Sequence, residues 1–141
     1  MNQQHLNDYG ITLLRVSLGI VYIAHSLYLK LVVFSLAGTA AFFGSLGLPE
    51  FTTYLVFLAE AVGGIALVLG VQTRWAAAIL VPVALGATWA HLGAGWLFSA
   101  EGGGWEYPAF LAAATAAQVL LGDGALALNR SRVPGLKPVT A

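Results

Sequence analysis

Residues 54–70 read YLVFLAEAVGGIALVLG, a run in which every position is aliphatic, aromatic or glycine except Glu60. No cation lies within a helical turn of that carboxylate on either side. An isolated charge at such a position is costly inside a protein and more so in lipid, so the fold has to supply a partner. Arg15, His25 and His91 also sit inside apolar runs. A chain that is 59% hydrophobic and only 9% charged has thus placed four ionisable groups where the solvent cannot serve them. This pattern points to a polar centre buried in a membrane helix bundle.

Composition narrows the class. Six acidic and six basic residues cannot cover the surface of a soluble domain of 141 residues, whose charged content is usually about 25%. A net charge of zero leaves no basic stripe for nucleic acid. With no cysteine, thiol–disulfide chemistry, iron–sulfur ligation and thiolate zinc sites are excluded from this chain, and no metal site is expected. The first ten residues have no Lys or Arg and no small-residue cleavage site follows, so the first apolar run is expected to stay in the protein.

Four apolar segments, about Ile11–Leu29, Tyr54–Val71, Trp75–Leu97 and Tyr107–Leu121, reach or approach the length that crosses a hydrocarbon core of ~30 Å. Nothing alternates as a barrel strand does, so the expected fold is all-α, an integral membrane four-helix bundle. The longer connection 30–49, with Phe34, Phe42, Phe43 and Leu46, is predicted to form a short interfacial helix between the first two spans. Pro82 is expected to bend the third helix. Residues 1–128 form the transmembrane domain in this reading, and 129–141 a mobile cytoplasmic tail. Gly63-Gly64 with Gly70, and the alanines of the fourth helix, permit close contacts within one chain or in a homo-oligomer.

Depth follows from helix rise. At ~1.5 Å per residue Arg15 lies ~6 Å from its membrane boundary, Tyr22 and Glu60 ~16 Å, His25 ~21 Å and His91 ~24 Å. Arg15 and Glu60 are therefore expected to interact. On an ideal α-helix, at ~100° per residue, Arg15, Gly19, Tyr22 and Ser26 share a face, and His25 and Lys30 diverge from it in opposite directions. Tyr22, His25, Glu60 and His91, with Arg15, are the candidates for ligand binding or proton handling, and Lys30, Trp105 and Glu106 for the outer mouth. Histidine, tyrosine and glutamate can donate, accept and exchange protons near neutrality, which a quinone headgroup needs. A purely structural reading makes Arg15, Tyr22 and Glu60 a bridge that fixes register. A haem b held by His25 and His91 is the less favoured alternative. The glycines 102–104 ahead of Trp105 are expected to cap the mouth, with Glu106 turned towards Lys30 or His91.

Several short motifs, in order, resemble the DoxX family of small four-helix membrane proteins. They are Leu14-Arg15 with Leu18-Gly19, Ala24-His25 with Lys30, and Leu46-Gly47-Leu48-Pro49, then Glu60 with Gly63-Gly64. Leu69-Gly70 with Thr73-Arg74, His91, Gly103-Gly104-Trp105-Glu106-Tyr107-Pro108 and Leu121-Gly122-Asp123-Gly124 continue the pattern. The family often has glycine where Ser26 stands and proline where Asp123 stands. The resemblance implies a bacterial or archaeal cytoplasmic-membrane protein, related to a subunit of thiosulfate:quinone oxidoreductase and to membrane complexes of redox stress. It implies an accessory or quinone-interacting subunit with redox partner subunits in the lipid bilayer. A small-ligand or lipid carrier, and a structural anchor for soluble partners, are the rival readings.

Charge asymmetry sets the expected topology. Arg74, Arg130, Arg132 and Lys137 fall on one side, and Lys30 falls on the other with Glu50, Glu101 and Glu106. The positive-inside rule then puts both termini in the cytoplasm. Cysteine placed at Glu101 is expected to react with an impermeant reagent on intact cells, and cysteine at Arg132 to react only after lysis. The reverse pattern would overturn this topology.

Overall fold

The computed structural model describes residues 2–132. Helix α1 spans Gln3–Ile23 and continues without a break into a π-helical segment, Ala24–Val33. Helix α2 covers Ser35–Ser45, α3 Phe51–Leu69, α4 Thr73–His91 with a short 3₁₀ turn Leu92–Ala94, and α5 Glu106–Leu121. Around the bundle α1 packs on α3, α3 on α4, α4 on α5, and α5 returns to α1. Thus α1 and α4 face each other across a diagonal. This is the expected all-α membrane bundle. Residues 3–33, 51–69 and 73–94 are each long and apolar enough to cross a membrane. At 16 residues α5 is shorter than the ~20 that a full crossing takes.

The helices present their largest apolar groups outward. Leu13, Ile79, Phe110 and Leu120 are 59–78% exposed. Water would not tolerate so continuous an apolar surface, and lipid requires it. The interior is filled mainly by small and branched residues: Leu18, Leu67, Ala76, Ala77, Leu80, Ala84, Leu111 and Ala112 around Tyr22. Helices α1 and α3 approach closely at Gly19 and Gly64. A Cβ at Gly19 would stand 2.7 Å from the Gly64 carbonyl oxygen, and one at Gly64 would stand 3.0 Å from the Gly19 oxygen. Dispersion between backbones gains from that proximity where no hydrophobic effect drives helices together.

Two boundaries differ most from the sequence expectation. The first span starts eight residues before Ile11, because Asn2 caps it, its side chain accepting the His5 N–H at 3.0 Å. The third stops at His91 rather than Leu97, and the chain turns away at Gly95, whose φ is 84°. Pro82 lies inside α4 without ending it.

The change from α to π winding begins where side chains compete for backbone carbonyls. His25 Nδ1–H donates to the Val21 carbonyl at 2.8 Å, and Ser26 O–H donates to the Tyr22 carbonyl at 2.9 Å. Such back-bonding loosens the ordinary i→i−4 ladder, and the wider turn takes over. Ser35, at φ 61°, then turns the chain into α2, and its Oγ accepts the Gly38 N–H at 3.1 Å. Helix α2 packs on α3 and on the π segment.

The segment after α5 folds back over the helix ends. Ala125 N–H donates to the Asp8 carbonyl at 3.1 Å, and Thr12 O–H to the Ala125 carbonyl at 2.7 Å. Asn129 N–H reaches the Gly70 carbonyl at 3.0 Å, and Asp123 accepts both the backbone N–H and the hydroxyl of Ser131. Of the tail expected to be mobile, residues 129–131 are therefore pinned, while 133–141 lie outside the described residues. The end of the bundle closed by this segment is the tail end, and the opposite one, carrying residues 95–105, is the loop end.

Gly19→Ala forces the α1 and α3 backbones apart, an overpacking that costs about 1–3 kcal/mol. It is expected to lower the unfolding midpoint in detergent. Gly10→Ala, where nothing lies within 4 Å of the added methyl, is expected to leave it unchanged or raise it.

Candidate functional site

Helix side chains lean towards the N-terminus of their own helix. On α1 that direction is the tail end, and on the antiparallel α3 it is the loop end. Lys30, high on the π segment, therefore leans back towards the middle of the bundle, and Glu60 on α3 leans out to meet it. Their Nζ and Oε2 atoms are 2.7 Å apart, with side chains 15% and 7% exposed. This corrects the expectation that Arg15 pairs with Glu60. Arg15 leans the other way, away from Glu60, and its Nη2 donates to the Ala125 and Leu126 carbonyls at 3.4 Å each. Helix rise fixes backbone depth alone, and the opposite lean of the two side chains carries Arg15 away from Glu60.

The same geometry corrects the divergence of His25 and Lys30. They are five residues apart, and in a π-helix the i→i+5 bonds bring such positions into near register. Both line one cavity of about 800 Å³ that runs from Glu60 to the loop end. His91, Tyr22 and Tyr107 line it too. Of the five internal candidates the structure gathers four, Tyr22, His25, Glu60 and His91. It leaves Arg15 at the tail end, and Lys30 moves from the mouth to the interior.

Each lining group has a defined hydrogen-bond state. Tyr22 is fully buried, and its hydroxyl lies 2.8 Å from that of Thr115. The Thr115 O–H is already donated to the Leu111 carbonyl at 2.7 Å, so Tyr22 is the donor of that pair and its proton is engaged. His25 and His91, across the diagonal from each other, are bound alike: His91 Nδ1–H donates to the Ala87 carbonyl at 2.7 Å, as His25 does to Val21. Nε2 is the ring nitrogen that each histidine does not spend on its own helix. The ring of Tyr107 lies nearly parallel to that of His25, with centroids 6.1 Å apart and an angle of 16°.

The mouth is built differently from the expectation. The glycines 102–104 do line the cavity, and a Cβ on Gly103 would sit 3.4 Å from His91 Cδ2. Gly104 tolerates no side chain at all, since its position presses on the Leu97 and Trp96 carbonyls. Glu106 does not turn to Lys30 or His91 for its bond. Its Oε1 accepts the Phe98 N–H at 3.0 Å and clamps the loop. Trp105 packs edge-on against Trp96, centroids 4.5 Å apart, away from the polar groups. Phe34 and Phe42 on one side and Trp89 and Phe98 on the other both line the cavity and stay 46–68% exposed, so the cavity opens between α2 and α4 through an aromatic rim. Sequence reading missed Tyr107 as a site residue. Its place at the start of the last helix resembled an interfacial anchor, and only the stacking on His25 reveals it.

The sequence profile of the family described as DoxX matches residues 10–93. The chain belongs to the DoxX family. Over 80 residues it is 35% identical to a Bacillus subtilis (strain 168) protein named "Putative oxidoreductase CatD", a stretch covering 57% of this chain and 58% of that one. No solved structure matches. The matched region contains Lys30, Glu60 and both histidines of the cavity but not Tyr107 or the glycine loop.

The ion-pair geometry is checked by double-mutant cycles on unfolding in detergent. Lys30→Met and Glu60→Gln are expected to couple by about 0.5–3 kcal/mol, as contacting charges do, while Arg15→Gln and Glu60→Gln add within about 0.5 kcal/mol. Coupling of Glu60 to Arg15 instead of Lys30 would contradict the observed pairing.

Proposed function

We infer that this DoxX protein is the membrane-embedded component of an oxidoreductase system and binds a quinone ring, oxidised or reduced, in the cavity between the π segment and α4. The observation that carries this reading is the cavity itself. It opens between α2 and α4 through aromatic side chains, and its inner lining carries a Lys–Glu pair, two imidazoles and a phenol. Mostly apolar walls with a few convergent polar groups are what a small aromatic ligand requires. Stacking surfaces come from Tyr107 and the rim, and hydrogen-bonding groups from Lys30, Tyr107, His25 and His91. Glu60 holds Lys30 in place and balances its charge.

The name of the Bacillus subtilis relative, "Putative oxidoreductase CatD", supports the redox setting. The chain has no cysteine, so any thiol or sulfur chemistry in the system belongs to a partner subunit. With the tail end in the cytoplasm, the side that the Lys/Arg bias favours, the cavity lies in the outer half of the cytoplasmic membrane. A redox partner that reaches the ring does so from the loop end or through the quinone pool.

The test is direct. The purified protein in lipid nanodiscs is expected to bind a short-chain naphthoquinone under a redox buffer that sets either oxidation state. His25→Ala and His91→Ala are each expected to weaken binding of the tighter-bound oxidation state about tenfold, the order of one well-formed hydrogen bond lost from a buried site. If neither oxidation state binds to wild type, the reading fails and a lipid or solute carrier, or an anchor for soluble partners, replaces it.

A further inference from the structure

The two histidines present the same polarity to the cavity. A carbonyl oxygen can only accept, so the Nδ1 atoms of His25 and His91, 2.8 and 2.7 Å from the Val21 and Ala87 carbonyls, carry the protons. In the neutral imidazole the other nitrogen is then a bare acceptor. The helix backbones thus fix both tautomers, and Nε2, with its lone pair, is the ring nitrogen each histidine keeps for a ligand in the one cavity that both line. A ligand that only accepts, such as a quinone carbonyl, meets these lone pairs as like against like. A ligand hydroxyl donates to them, and its oxygen still accepts from Lys30 Nζ, which spends one of its three protons on Glu60.

From this pairing we propose that the cavity selects the reduced, hydroxyl-bearing form of an aromatic diol over its quinone, with His25 and His91 as the acceptors of the ring hydroxyls. The assignment rests on the ring-binding reading above and adds a direction to it. The site takes its ligand as the diol, and whatever oxidises that diol belongs to the partner. Tyr22 does not contribute to the selection, because its proton is held by Thr115. The step proposed is binding alone, and no electron moves in it.

Three probes of one ring separate the cases: 2-methyl-1,4-naphthoquinone, its diol kept reduced under anaerobic dithionite, and the 1,4-dimethoxy ether, which has the diol's shape but no proton to donate. Dissociation constants are measured by calorimetry on the full chain in nanodiscs. The diol is expected to bind at least about tenfold more tightly than either the quinone or the ether, the factor that one to two net hydrogen bonds supply. His25→Ala and His91→Ala are expected to remove the diol's advantage while changing quinone binding less than about threefold. The three-probe comparison on wild type stands even where a variant fails to fold. Equal or tighter binding of quinone or ether, or an advantage that survives both substitutions, overturns the selection while the ring-binding reading remains. Absence of binding by all three probes removes both.

Discussion

A carboxylate in the middle of an apolar helix has to be met by a cation, and here the first span is bent out of its ordinary winding to provide one. Glu60 cannot move: its helix is held to α1 by the Gly19–Gly64 contact and to α4 by Leu80 packed over Gly63. Lys30 comes to it from a π-helical segment whose turn places the lysine and His25 over the same cavity. Long π segments are rare and tend to occur at functional sites, since they trade regular hydrogen bonding for side-chain placement. Breaking a buried pair strands the remaining charge at a cost of several kcal/mol, so the pair and the winding sustain each other.

The two ends of the bundle have different tasks. At the tail end the contacts are tight. Glycine against glycine brings α1 onto α3, and the folded-back segment covers the helix termini. Arg74 Nη1 donates to the Val119 and Leu120 carbonyls at 2.7 and 2.8 Å, meeting the unpaired carbonyls of the last turn of α5. At the loop end the helices part, α2 turns across the opening and three glycines close the other side. Rigidity at one end is what allows a cavity at the other, because a bundle loosened along its full length would have no fixed wall on which to orient a ligand.

Much of this was legible in the residues. The apolar runs gave the spans and the Glu60 anomaly gave the polar centre. Helix rise placed Tyr22, His25, Glu60 and His91 near one level, and they do line one cavity. The pairing of the charges was not legible, for two physical reasons. Rise alone locates a Cα, whereas a long side chain acts several ångströms nearer its own N-terminus, which reversed the roles of Arg15 and Lys30. The azimuth of Lys30 depends on the turn angle of the helix, and the His25-Ser26 pair changes that angle by claiming the Val21 and Tyr22 carbonyls. A histidine followed by serine late in a span is a signal that could have been used. The contribution of Tyr107 depends on a loop whose path no periodicity describes.

The guanidinium groups also impose an order of events. Arg74 waits for carbonyls about 45 residues later in the chain, and Arg15 for carbonyls 110 and 111 residues later. Until the last helix and the residues after it are synthesised neither set of carbonyls exists, so both guanidiniums lack these partners in the first hairpin. The last helix and the residues after it act as the closing latch. A chain that stops short of residue 125 leaves the Arg15 guanidinium without either of its carbonyls.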